Sequence, residues 1–322
     1  IQEKRYDDFF EDFAVDIATF VLRDMTSPEG VFYSAADSGG EGDEARYYLW
    51  TEDEIRSLLT PEEAGIFIYA YGVLKGGNYK NEVTGRILGY NILFRAASSR
   101  DIARRFNMDE AGVETLLASC RERLFKARRR RPAPPMDDKI LTDWNGLMIA
   151  ALAKAGAVFE RREWINSAEK AARFIDQKLR DKKGALLHRY RNGEAAVPAF
   201  LDDYAFFALG LTELGESLGR KEYTQSAVKL MDALLKNFAD GDGGLFFHDG
   251  GDKNLFLRKK DAYDGAVPSG NAVAMEVLTR LSASAGRRDF SGAAKRIAAA
   301  FSRHAAKYPL SHAHFISVSA GL

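Results

Sequence analysis

Carboxylates gather with aromatic and amide side chains at three places in this chain. The first holds Asp137-Asp138-Lys139 and then Asp143-Trp144-Asn145. The second is Asp202-Asp203-Tyr204, and the third joins Tyr263-Asp264 to Ser269-Gly270-Asn271. Carboxyl groups can give or take a proton, and aromatic rings stack on the apolar faces of pyranoses, so these residue types together suit a sugar. Hydrolysis of a glycosidic bond needs two carboxyl groups flanking it, roughly 5–10 Å apart. Asp138 with Asp202 or Asp203 would supply them. Lys139, Trp144, Asn145, Tyr204, Tyr263, Asp264, Ser269 and Asn271 would then line the substrate site.

A structural reading competes at each position. Asp202, Asp203, Ser269 and Asn271 lie near helix starts, where such side chains cap free backbone N–H groups. Two adjacent aspartates suggest that one caps while the other faces a lumen. Trp144 and Tyr204 share a register with Leu147 and Phe207, as core residues would. Histidine acid–base chemistry, as in a sugar epimerase, is disfavoured because no histidine falls on an inner helix. His312-x-His314 lacks a third metal ligand at useful spacing. Asp240-Gly-Asp242-Gly-Gly244 and His248-Asp249-Gly-Gly-Asp252 lack the full ligand spacing of calcium loops and read as turns. No cofactor fingerprint is present.

What must position these residues is an internal repeat. Four segments carry apolar residues at offsets 0, 4, 7, 8 and 11, led by Phe10, Trp164, Tyr223 and Phe290. That spacing is one face of a helix. Twenty residues after three of the leads stands a glycine (Gly30, Gly184, Gly243), followed by a short β-like run. Partner helices precede three copies, in the sets Trp144/Leu147/Met148/Ala151, Tyr204/Phe207/Ala208/Leu211 and Asn271/Ala274/Met275/Leu278. Short loops make each pair antiparallel. The pattern predicts inner helices near 141–157, 200–217 and 268–285 and outer ones near 163–180, 221–238 and 288–306. Hairpins of this kind close into an (α/α) toroid, here incomplete, spanning 1–322 as one domain; a superhelical solenoid is the rival, but these periods exceed those of common solenoid repeats. A helix over Glu110–Arg128 is read as part of a further hairpin. Irregular excursions fall near 30–50 and 72–95, and an arginine- and proline-rich linker near 129–137. With hairpins missing, an apolar seam is expected to be exposed.

Composition narrows the classes. Forty-six basic and forty-six acidic residues cancel, so no global field favours nucleic acid or an anionic membrane. The run Arg128–Arg131 reads as cations at a helix C-terminus. One cysteine, Cys120, excludes an intrachain disulfide framework and fits a reducing, cytoplasmic setting. No apolar run has membrane-spanning length. The chain begins at Ile1 in a charged stretch and reads as a fragment of something longer.

The stretches LRDMTSPEGVFYSAADS, EARYYLWTEDEI, YGVLKGGNY, DDKILTDWNGLMIAALAKAG, AFLDDYAFFALGL and YDGAVPSGNAVA run in this order along the chain. They resemble the spermatogenesis-associated protein 20 / bacterial YyaL-type family. That resemblance implies a six-hairpin glycosidase-like toroid, a thioredoxin-like domain elsewhere in the full-length protein, and no established activity. The sequence departs from the family where Ala36 and Gly39 replace acids, although Asp37, Glu41, Asp43 and Glu44 remain. Asp143 stands where the family has a small residue, so its carboxylate is not carried over as a site. The functional expectation is a carbohydrate-active or sugar-binding domain; the alternative is a peptide-binding scaffold partnering the thioredoxin-like domain.

Overall fold

The computed structural model describes residues 8–37, 46–81, 84–251 and 256–322. Gly39, Glu41, Asp43, Glu44 and Asp252 lie outside the described residues. The chain divides into two compact units, Ile1–Ala35 with Asp138–Leu322, and Ala36–Asp137.

Helix α1 (Asp8–Asp24) opens the first unit, and the two-residue strand β1 (Ala35–Ala36) leads into the second. There follow α2 (Glu52–Leu58), α3 (Pro61–Ala70), α4 (Ser99–Phe106), α5 (Glu110–Arg128) and β2 (Met136–Asp137). The sequence marks these helix starts clearly. Thr51 with Glu54 and Thr60 with Glu63 form reciprocal capping boxes, and Ser98 and Asp109 cap α4 and α5. Between α3 and α4 the chain is irregular. Buried Asn91 ties it down, donating to the Trp50 and Leu74 carbonyls and accepting from Leu74 N–H. Expected as part of a toroid hairpin, α5 instead packs Val113, Leu117, Cys120 and Leu124 with Ile55, Phe67 and Ile102 of α2–α4. The physical reason is local: its apolar face meets short helices that have no other core to join. At the end of α5, Arg131 donates to the Tyr47 and Leu49 carbonyls and lies 4.0 Å over the Trp50 ring. It is an anchor inside this unit rather than a free connector cation.

The rest of the first unit begins with β3 (Ile140–Leu141) and α6 (Thr142–Val158), then α7 (Arg162–Lys178), β4 (Leu187–Arg191) and β5 (Glu194–Pro198). It continues with α8 (Leu201–Leu218), α9 (Lys221–Phe238), α10 (Gly270–Ser284), α11 (Arg288–Lys307) and α12 (Ala313–Ser319). Inner helices α6, α8 and α10 are buried on several faces, while α7, α9 and α11 bury one stripe and expose the other. Each inner helix packs on the outer helix that follows it, and the inner helices pack on one another. At the α6–α8 crossing, a Cβ on Gly146 would lie 2.5 Å from the Phe206 carbonyl carbon, and one on Gly210 2.8 Å from the Gly146 carbonyl oxygen. Only glycine permits that approach. Strands β3, β4 and β5 form an antiparallel sheet with Leu141 opposite Arg189 and Arg189 opposite Ala196.

After α1, α7 and α9 the chain makes the same tight return. Thr26 bridges Phe32, Arg180 bridges Leu186 and Ala239 bridges Leu245, with Gly30, Gly184 and Gly243 turning at φ +85°, +85° and +93°. The following inner helix clasps each return. Asn145 accepts from Phe32 N–H and donates to its carbonyl; Asn271 does the same to Leu245. In the middle copy the Tyr204 hydroxyl accepts from Leu186 N–H at 3.3 Å. Asn145, Tyr204 and Asn271 are therefore the equivalent residues. This corrects by one residue the register that paired Trp144 with Tyr204 and Asn271. Trp144 is 45% exposed, whereas Asn145 is buried. Under the corrected register Asp143, Asp202 and Ser269 are also equivalent.

Lead residues Trp164 and Phe290 are buried under their own inner helices, and Tyr223 is half-buried. Helix α1 differs. Phe10 and Ile17, in the positions of Trp164/Phe290 and Ala171/Ile297, are 67% and 59% exposed. Its outer-helix stripe is intact in sequence, and among the described residues no inner helix of its own hairpin covers it.

A carboxylate cavity at the inner-helix starts

The starts of α8 and α10 border a cavity of about 210 Å³. Its wall includes Asp202, Phe247, Lys259, Asp261, Tyr263 and Ser269. Asp202 sits in the first turn of α8, with its carboxyl against the α10 N-terminus. A Cβ on Gly270 would collide with Asp202 Oδ1, so this glycine is what admits the carboxyl there. Lys259, also lining the cavity, pairs with Asp261 at 2.5 Å.

The adjacent Asp203 has another task. Fully buried, it accepts from Phe200 N–H at 2.7 Å and from Asp143 N–H at 3.0 Å. His188 Nδ1 lies 2.9 Å from its Oδ1. The β3–β4 pairing, which sets Leu141 opposite Arg189, brings His188 to the start of α6. One carboxylate thus caps α8, ties α6 to it and orients a histidine.

Three aspartates and one histidine in a poorly solvated corner perturb one another. Burial, then the charges of Asp143, Asp203 and Asp261, push the Asp202 carboxyl up to about 7, against a hydrogen bond from Gly270 N–H. Burial and then Asp203 push Asp143 up to about 6. For His188, burial disfavours the cation. The Asp203 hydrogen bond and charge, with Asp143 and Asp202, outweigh it and raise the imidazolium pKa above its usual value. One atom each of Asp143, His188 and Asp203 lie within 4.8 Å of one another, a grouping that could hold a cation. A metal would have to displace the His188–Asp203 bond, while the Asp143 carboxylate accepts from Trp144 N–H.

Of the other residues singled out in the sequence, Tyr263 lines the cavity and is 60% exposed. Ser269 lines it and caps α10, accepting from Ala272 N–H. Asn271 borders it while clasping Leu245. Asp264 is spent on backbone, accepting from Ser269 and Phe315 N–H. Asp138 does not reach the cavity; it pairs with Arg191 of β4 at 2.6 Å, both side chains more than two-fifths exposed. Lys139 is half-buried beside it, and Asn145 and Tyr204 hold the returns described above. His188 and Asp261 are absent from the sequence-derived set, and Asp143, named there among the carboxylates, is set aside because the family has a small residue at its position. Asp143 was legible through its equivalence to Asp202, once the register is right; His188 carried only its place four residues after Gly184.

Buried inner helices each paired with a one-sided outer helix are the hairpins of an (α/α) toroid of six-hairpin glycosidase type, and the starts of α8 and α10 meet at the acidic cavity. Solved structures of similar fold include a glycoside hydrolase family 76 mannosidase from Bacteroides thetaiotaomicron, 16% identical over 91% of this chain and 71% of that one, with a TM-score of 0.44. Another is the unsaturated glucuronyl hydrolase of Bacillus sp. GL1, 17% identical over 63% of this chain and 59% of that one, TM-score 0.43. A third, cellobiose 2-epimerase from Spirochaeta thermophila, is 15% identical over 51% and 43%, TM-score 0.42. At such identities the likeness concerns fold alone. No family model matches the chain. In sequence, the chain is homologous to spermatogenesis-associated protein 20: 34% identical to the human protein and 31% to that of Mus musculus, over 94% of this chain in each case. It spans 42% of the length of those relatives. No helix among the described residues is long and apolar enough to cross a membrane.

Proposed function

We propose that the cavity beside Asp202 binds a sugar and that Asp202 acts on it as a general acid. The observation that supports this is a carboxyl at a cavity wall whose pKa is pushed up to about 7, next to a second carboxyl at about 6. Two such coupled groups hold one proton between them near neutrality. Glycoside hydrolysis uses that state: one carboxyl protonates the glycosidic oxygen as the bond to the anomeric carbon breaks, and the other accepts a proton from the attacking water. Asp202 takes the first role and Asp143, beside it in charge though not among the residues lining the cavity, the second, in place of the pairing with Asp138 that sequence suggested. Asp203 and His188 position the pair, and the Tyr263 ring offers a stacking face at the cavity mouth. Asp138, ion-paired away from the cavity, has no part in it.

The test is turnover of a panel of neutral and uronic oligosaccharides by the full-length protein and its Asp202→Asn and Asp143→Asn variants. Loss of at least about 100-fold in kcat for both variants, with the fold retained, is the expected result. Equal turnover by Asp202→Asn and wild type would remove the proposal.

A further inference from the structure

The three returns after α1, α7 and α9 are equivalent, yet the next outer helix treats them differently. The facing residues are Lys170 of α7, Lys229 of α9 and Arg296 of α11, each six positions after its lead aromatic. At the first return the Lys170 side chain lies so close over Gly30 that a Cβ there would collide with it. At the third, a Cβ on Gly243 would lie 3.0 Å from the Arg296 carbonyl oxygen. A Cβ on Gly184 would meet nothing within 4 Å. In place of a packed contact there is a groove of about 590 Å³. That is within the range of small-molecule sites, about 300–1,000 Å³.

Cations surround the opening. Lys183 from the return, Lys229 and Lys236 from α9, and Arg180 line it, against one carboxylate, Asp176. Asp176 is already bonded to Arg180 at 2.7 Å. Lys183, Lys229 and Lys236 make no ion pair among the described residues. The Ser226 hydroxyl and the Asn237 amide add donors, while Leu230, Ala233 and Tyr204 supply an apolar floor. Three unneutralised ammonium groups converging on one groove match a compact, multiply charged anion, with room on the floor for an organic body.

We propose that this groove binds a small phosphorylated molecule, at a site sharing no lining residue with the cavity of Asp202. Titration of the full-length protein with inorganic pyrophosphate, followed calorimetrically at low ionic strength, tests it. Saturable binding that weakens at least about tenfold in Lys229→Glu/Lys236→Glu, and on raising salt to about 0.3 M, is expected. The milder Lys229→Gln, which removes charge without reversing it, should weaken binding severalfold and guards against misfolding of the double variant. Asp202→Asn and Lys170→Gln should leave binding unchanged, which separates this site from the sugar proposal. Absence of saturable binding, or binding unaltered in the double variant, would overturn the proposal. So would binding of a polyglutamate peptide through the same lysines without pyrophosphate binding, since that would mark a protein-docking face.

Discussion

At the scale of single residues, adjacent Asp202 and Asp203 show how one helix start serves two ends. Asp203 is consumed by Phe200 N–H, Asp143 N–H and His188, while Asp202 keeps a face on the cavity. Asp203→Ala strands buried donors and should cost about 2–4 kcal/mol by chemical denaturation. It should also lower the His188 pKa, read from its ring proton shifts, because the hydrogen bond and charge that raise it disappear. Asp202→Asn should act oppositely on stability, and the sign follows from linkage. A carboxyl whose pKa is higher folded than unfolded binds extra protons in the native state, so its contribution falls as pH rises from about 4 to about 7. Removing the charge should therefore stabilise the protein at about pH 8 relative to wild type, by about 1–3 kcal/mol for a half-buried group. It should change little near pH 4. A variant less stable than wild type at pH 8 would mean that Asp202 holds the helix rather than the cavity.

At the scale of elements, the helices were legible because a 3.6-residue apolar period survives in each outer copy. Segments predicted at 221–238 and 288–306 are α9 (Lys221–Phe238) and α11 (Arg288–Lys307). The one-residue slip in α6 has a physical source. Matching apolar residues favoured Trp144, but the clasping group is polar Asn145, buried because the Phe32 backbone satisfies it. The role of His188 was illegible for a different reason. Only the β3–β4 pairing, 50 residues apart at Ile140 and Tyr190, brings it to Asp203. Packing gives two element-level expectations. Gly146→Ala should cost about 1–3 kcal/mol through overpacking at the α6–α8 crossing, whereas Gly65→Ala, with open space around it, should not. Ile297→Ala should cost about 2–4 kcal/mol, and Ile17→Ala, 59% exposed at the equivalent position, under about 1. Equal losses at both sites would show that α1 is covered in the folded protein.

At the scale of the whole molecule, two separate apolar cores stand out. One runs through α6–α11 and the other joins Ile55, Phe67, Ile102 and Leu117 of α2–α5. The second unit was the least legible part of the chain, because its short helices lack the repeat that organises the rest. Calorimetry should resolve two unfolding transitions, with Phe67→Ala lowering one and Phe207→Ala the other by several degrees each. A single transition moved by both variants would count against independent cores. The central functional claim, that Asp202 holds a proton at neutral pH beside the cavity of about 210 Å³, is open to direct observation. Following the Asp202 carboxyl carbon by ¹³C NMR across the pH range should give a midpoint near the value of about 7 inferred from its surroundings. A midpoint near 4, that of an ordinary aspartate, would contradict it.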